Sequence, residues 1–154
     1  MVRLILAGAA LVLAACSQGE SATARAPAGT AAPAQSVARH PVSGLRVIDL
    51  TVRGSSAHSF RVELADTPAA QARGLMYRTE LGDFEGMLFP SAVPEPRSFW
   101  MKNTPLSLDI IFIGPDGRIT DIAADTVPYS TESVSSDGPA SAVLELRAGR
   151  ARAL

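Results

Sequence analysis

The sequence predicts a small, mainly β domain, an antiparallel sandwich or barrel carrying one or two short helices. Three observations lead there. About seven short runs alternate apolar with polar residues or are apolar throughout, as strands do. Turn chemistry separates them, as at Gly54-Ser55-Ser56 and Gly114-Pro115-Asp116-Gly117. Only the stretch after Asp66-Thr67-Pro68 has the cap, the proline and the Ala-rich composition of a helix start. Neither an internal repeat nor a coiled-coil pattern is visible.

This domain takes up residues 43–154 of a 154-residue chain, enough for one core. The segment ahead of it is of another kind. Met1-Val2-Arg3 is positively charged, residues 4–13 are an apolar run, and small residues lead into Cys16. Such a start is a secretory signal and too short to span a membrane. With the cysteine it resembles the bacterial lipoprotein signal, residues 1–15, whose cleavage leaves a lipid on Cys16. This is the chain's only Cys, and lipidation consumes a thiol that is otherwise a liability in an exported protein. Ser17 stands where an inner-membrane retention signal usually has Asp, so the resemblance favours the outer membrane. Residues 16–42, rich in Ala, Pro and Ser, bury too little apolar surface to offset their ordering entropy and read as a flexible tether.

Within residues 43–154, eleven Arg and Lys face fourteen Asp and Glu, a balance of −3 with no basic run. Nucleic acid is therefore not an expected partner. The membrane, through the lipid on Cys16, is.

In chain order, residues 45–53 and 59–65 alternate around the Gly-Ser turn and predict a hairpin. Ile48, Leu50 and Val52 face the core with Phe60, Val62 and Leu64. Thr67 or Asp66 caps a short helix that Pro68 opens and Gly74 ends. Residues 86–89 form a strand stopped by Pro90, and Val93-Pro94-Glu95-Pro96 is an extended connector. Residues 98–102 and 107–113 are two strands joined by a short polar turn. Residues 118–123 pair with the second of them, 126–139 are a polar loop, and 142–146 are the last strand.

The two strands around that polar turn concentrate the unusual residues. They hold the only Trp and the only Lys, Trp100 and Lys102, with Arg97, Asn103 and Asp109 close by. Asp109 lies in an otherwise apolar strand, and a carboxylate there needs a partner. It either accepts backbone or Asn103 donors and pins the turn, or it lines a pocket with Arg73 or Arg97, floored by Trp100 and Met101. Other chemistry has less support. His58 is the only His in residues 43–154 and no Cys is there, so a zinc-type ligand set cannot be assembled. Asp83 and Glu85 lack the glycine and ligand count of a calcium loop. No Gly-x-Ser-x-Gly elbow exists, and Ser98 with Lys102 reads more simply as an exposed strand end than as a dyad. No cofactor is expected.

Five motifs carry a resemblance: Arg73-Gly74-Leu75-Met76-Tyr77-Arg78, Glu85-Gly86-Met87-Leu88-Phe89, Ser98-Phe99-Trp100-Met101-Lys102-Asn103-Thr104, Leu108-Asp109-Ile110-Ile111-Phe112-Ile113 before Asp116-Gly117, and Val143-Leu144-Glu145-Leu146. In order and spacing they resemble domain-of-unknown-function family 192. The resemblance implies a compact, mainly β, often exported domain, and no activity that can be placed on particular residues. It also implies a short helix, a Gly-Asp turn and a closing strand after Ala148-Gly149. This chain stops at Leu154, lacking the rest of that helix and the strand.

Two function classes remain. One is a lipid-anchored, periplasm-facing envelope protein without enzymatic activity, which binds an envelope protein or a small molecule. The alternative is an envelope enzyme or small-ligand-binding protein with a carboxylate and Arg site made by Arg73, Glu85, Arg97, Trp100, Lys102, Asn103 and Asp109. Convergence of those side chains in one concavity supports the second class. Scatter, or bonds to backbone alone, supports the first.

Overall fold

The hairpin at the start of the domain forms as its alternation requires. The computed structural model describes residues 37–154, so the signal segment, Cys16 and most of the tether lie outside the described residues. Strands β1 (Val47–Arg53) and β2 (Ala57–Leu64) pair antiparallel, with Leu50 opposite Phe60 and Ile48 opposite Val62. Phe60 and Val62 are buried, and Ile48, Leu50 and Val52 pack against them half-buried.

Helix α1 (Pro68–Arg73) has the predicted cap. Thr67 is extended, and its hydroxyl accepts from the Ala70 amide at 3.2 Å. Six residues are too few for a helix to hold itself, so packing holds it. Ala70 lies against the core and Leu75, just past the helix, is buried in it. This helical crossover sets the direction of the next strand. Strand β3 (Glu85–Phe99) pairs parallel to β2, with Arg61 opposite Glu85, and parallel neighbours need such a connection.

Strands β4 (Leu108–Ile113), β5 (Ile119–Ala123) and β6 (Val134–Arg147) complete one six-stranded sheet in the order β1-β2-β3-β6-β4-β5, with α2 (Arg150–Ala153) behind β6. The fold is mainly β with two short helices, as expected. The sheet is open, with β1 and β5 at its edges, and does not close into a barrel. One pair in it, β2 with β3, is parallel rather than antiparallel.

Two expectations about strand pairing are corrected. Residues 98–102 and 107–113 do not form a hairpin, because β6 lies between β3 and β4 and bonds both. β3 ends at Phe99, and Trp100 to Ser107 form the loop that crosses to β4. The supposed polar loop 126–139 is also partly strand. From Val134 onward it pairs with the second half of β3, Phe99 opposite Val134 and Glu95 opposite Ala140. The prolines that suggested a connector are accommodated at irregularities between Pro90 and Glu95 and between Pro96 and Ser98, where ladder donors are not needed.

The sheet is apolar on both faces. Leu108, Ile110, Phe112, Val143, Met87 and Phe89 form one face with Leu75 and Leu81, and Phe60, Val62, Ile111, Leu144 and Leu146 form the other. β4 thus shows its predicted alternation, with Asp109 on the Ile111 side. Ahead of β1 the chain folds back on the sheet. The His40 amide bonds the Leu45 carbonyl at 2.8 Å, and buried Glu63 receives Arg78 at 2.7 and 2.9 Å and the Ser43 hydroxyl.

Candidate functional site

The α1 exit, β3, the crossover loop and β6 line an open cleft of about 310 Å³. Gly74 lets the chain turn close to the sheet there. Its φ is +50°, and a Cβ on it would meet the Phe89 ring at 3.4 Å. Phe89, Phe99 and Leu75 supply apolar walls, with Phe99 edge-on to Phe89 at 5.1 Å.

Glu145 lies in the cavity lining, and its place follows from strand periodicity. In β6, Val143 and Glu145 point to the same face while Leu144 and Leu146 point to the other. Across the sheet Glu145 stands between Met87 of β3 and Ile110 of β4, both fully buried. Neither neighbour offers a donor, and none of the ion pairs among the described residues includes Glu145. Only 5 % exposed, it lacks the water that stabilises a carboxylate, and burial pushes its pKa from 4.5 up to about 8. Burial thus favours its un-ionised form, which can donate a hydrogen bond.

Arg97 is the opposite kind of group. It is always charged, and its side chain is only 14 % exposed. Its guanidinium donates to the Ser91 hydroxyl at 2.6 Å and the Gln71 side-chain oxygen at 3.3 Å, both neutral acceptors. Gln71 is oriented for this because its amide nitrogen bonds the Ala65 and Pro90 carbonyls at 3.1 and 2.8 Å. The carboxylate paired with Arg97 belongs to Glu95, 3.9 Å away and largely in solvent. The guanidinium also lies over the Phe99 ring, 5.6 Å from its centroid, so its charge is met by two neutral acceptors, an aromatic face and one exposed carboxylate. Arg73 stands exposed on the same cavity, its guanidinium 5.7 Å from the Tyr77 ring, and Trp100, 48 % exposed, forms another part of the wall.

Of the seven residues singled out from the sequence, Arg73, Arg97 and Trp100 therefore share this cavity. Lys102 stays outside, its ammonium 5.1 Å from the Trp100 ring. Asn103 holds the crossover loop. It takes a left-handed conformation with φ 56°, its carbonyl accepts the Tyr77 amide at 2.8 Å, and its side chain reaches only Met76 sulfur at 3.9 Å. Glu85 begins β3 beyond the cavity, where its carboxylate accepts the Gly82 amide at 3.0 Å. Met101 is core rather than cavity floor.

Asp109 accepts the backbone amides of Asp125, Gly149 and Ala151 at 3.0, 3.2 and 2.8 Å. It pins α2 and the segment after β5, and the expected pairing with Asn103 is not made. The two lie on separate features because the polar turn is not a hairpin turn.

Glu145 was missed as a site residue. Its signal was available: an acid inside an apolar strand, the same anomaly that singled out Asp109.

The chain matches the family described as "Uncharacterized ACR", DUF192, over residues 49–154. It belongs to DUF192. Every cavity residue falls inside the matched span. Among solved structures, this DUF192 chain is similar to a protein of unknown function from Novosphingobium aromaticivorans DSM 12444, with 52 % identity over 78 % of this chain and 86 % of that one and a TM-score of 0.75. It is also similar to a candidate transcription regulator from Sinorhizobium meliloti 1021, with 40 % identity over 67 % of this chain and 81 % of that one and a TM-score of 0.64. No curated protein matches it.

Proposed function

We propose that this DUF192 chain is a lipid-anchored envelope protein whose β domain binds a small molecule in the cavity between α1 and β6, without chemistry of its own. One observation carries the reading. A buried carboxyl that desolvation holds un-ionised and a partly buried guanidinium line the same concavity, whose surface is as polar as it is apolar, and both are costly to keep unless something uses them. A carboxyl poised near neutral pH also favours a second reading, an enzyme in which Glu145 serves as general acid. Transcription regulation, suggested by the Sinorhizobium protein, is not carried over, since a domain balance of −3 without a basic run does not suit a DNA surface.

Thermal-shift screening of small acids, amines, alcohols and sugars tests the site. A true ligand raises the melting temperature and changes the fluorescence of Trp100, the chain's only tryptophan. At about a hundred times its Kd it adds roughly 2.7 kcal/mol of stability. Stabilisation with Trp100 unmoved, or no stabilisation by any class, overturns the reading.

The anchor rests on the apolar run of residues 4–13 and on Cys16 behind it, both outside the described residues. Cys16→Ser is expected to move the protein from the membrane fraction to the soluble one. Retention of the variant in the membrane defeats the lipid assignment.

A further inference from the structure

We propose that the site extends past Trp100 and takes a short neutral oligosaccharide, which lays one sugar ring on the indole and sets its flanking rings in a cleft on either side. The inference rests on the cleft beside α1 being a small-molecule site and adds the ligand's class and length.

The extension is built into the end of β3. Phe99 and Trp100 form one wall of the α1 cleft, and the same two residues line a second cleft of about 250 Å³. Ala124, Val127 and Ser130, from the segment between β5 and β6, bound that second cleft. Trp100 is therefore a ridge between two hollows. Backbone bonds hold the ridge in place. The Met101 amide bonds the Ser130 carbonyl at 2.9 Å, and the Tyr77 and Tyr129 amides bond the Asn103 and Thr104 carbonyls at 2.8 and 3.1 Å.

Those two tyrosines are a second, independent sign. Both take left-handed backbone, with φ of 65° and 60°, where a bulky side chain is strained and glycine is not. Their side chains are 64 % and 63 % exposed, so core packing does not account for them. Strain of this kind gathers at ligand clamps. Tyr77 follows Met76 and lies under Arg73, both part of the α1 cleft, and Tyr129 precedes Ser130 of the second cleft. An exposed aromatic residue thus stands beside each cleft, with Trp100 between them.

The lining selects the class. A sugar ring is apolar on its C–H faces and polar at its hydroxyl edge, and both clefts mix polar with apolar surface. Aromatic faces suit the first, while Arg73, Ser130, Glu132 and the Lys102 ammonium, 5.1 Å over the indole, suit the second. Charge selects neutrality. Arg73 and Arg97 lie on one cleft and Asp125 and Glu132 on the other, so a chain charged alike along its length meets repulsion at one end. A peptide binds largely through backbone bonds, and the loop carbonyls from Met101 to Thr104 all accept bonds already.

The test titrates the full chain with mono-, di- and trisaccharides of glucose and of N-acetylglucosamine, and with trialanine, following Trp100 fluorescence. One trisaccharide is expected to bind at least about tenfold more tightly than its monosaccharide, because linked rings engage both clefts. Tyr129→Asn, which tolerates left-handed backbone, should keep or raise the melting temperature and still weaken that trisaccharide severalfold. Ala124→Phe, at an exposed position in the second cleft, should lower trisaccharide affinity to about the monosaccharide level, and it decides the matter should the first variant not fold. A trisaccharide that binds no better than its monosaccharide, or as well to either folded variant, overturns the extension past Trp100. Trialanine binding more tightly than every saccharide makes the ridge a peptide site instead. Stabilisation by a small acid, amine or alcohol with no response to any saccharide overturns the sugar class and leaves the α1 cleft as a site. Silence from every class overturns both this inference and the reading beneath it.

Discussion

Asp109→Ala is expected to destabilise the domain by about 3 kcal/mol, the upper end of what stranded buried donors cost. The side chain is fully buried, and its two oxygens take three backbone amides from two separate segments. Alanine leaves all three donors without water or acceptor. It also loosens α2, which has four residues and no side-chain cap of its own, leaving its start held by the Arg150 bond to the Asp83 carbonyl and the packing of Ala151. Asp109→Asn should lose roughly 1–2 kcal/mol, because one oxygen remains while the new amide nitrogen faces an N–H donor. Denaturant unfolding followed by Trp100 fluorescence measures both. A midpoint unchanged in the Ala variant, with ligand binding lost, would instead make Asp109 a site residue.

That carboxylate also shows where local reading of the chain succeeds. A lone acid in an apolar strand had to have partners, and bonds to backbone were one of the two options its burial allowed. Its partners could not be named, because Gly149 and Ala151 lie far along the chain and reach it only through the pairing of β6 with β4. The same limit explains the supposed hairpin. Residues 98–113 carry every local sign of two strands and a turn, yet which strand fills the gap between them is a long-range fact. The first half of β6 was illegible for a related reason, since its Ser, Gly and Pro composition becomes strand only when β3 presents an edge. The β1–β2 hairpin and α1 were legible because alternation, capping and turn chemistry are all local. In the cavity, Arg73, Arg97 and Trp100 were found by residue type. Glu145 is hard to see in the sequence because it sits in an apolar strand, and what its face packs against is set by the sheet order.

Glu145→Gln is expected to remove most of the domain's loss of stability between about pH 4.5 and pH 8. The sign follows from the two states. In the unfolded chain the carboxyl ionises near its ordinary 4.5, while in the fold it holds its proton up to about 8. The native state therefore binds the extra proton across that window, and its stability falls by about 1.4 kcal/mol per pH unit as pH rises. The contribution is whole below the lower value and gone above the upper one, on the order of 5 kcal/mol in all, against total stabilities of roughly 5–15 kcal/mol for such domains. Glutamine has nearly the same shape and does not titrate. Its melting temperature should stay level where the unaltered protein's declines, so that the variant is the more stable protein at neutral and alkaline pH. Parallel profiles for the two would mean that the carboxyl is not desolvated. The cavity would then lose the feature that distinguishes it from a surface depression. A declining profile has a sharper consequence. A residue replaceable with a gain of stability, held between Met87 and Ile110, is not one that the fold requires.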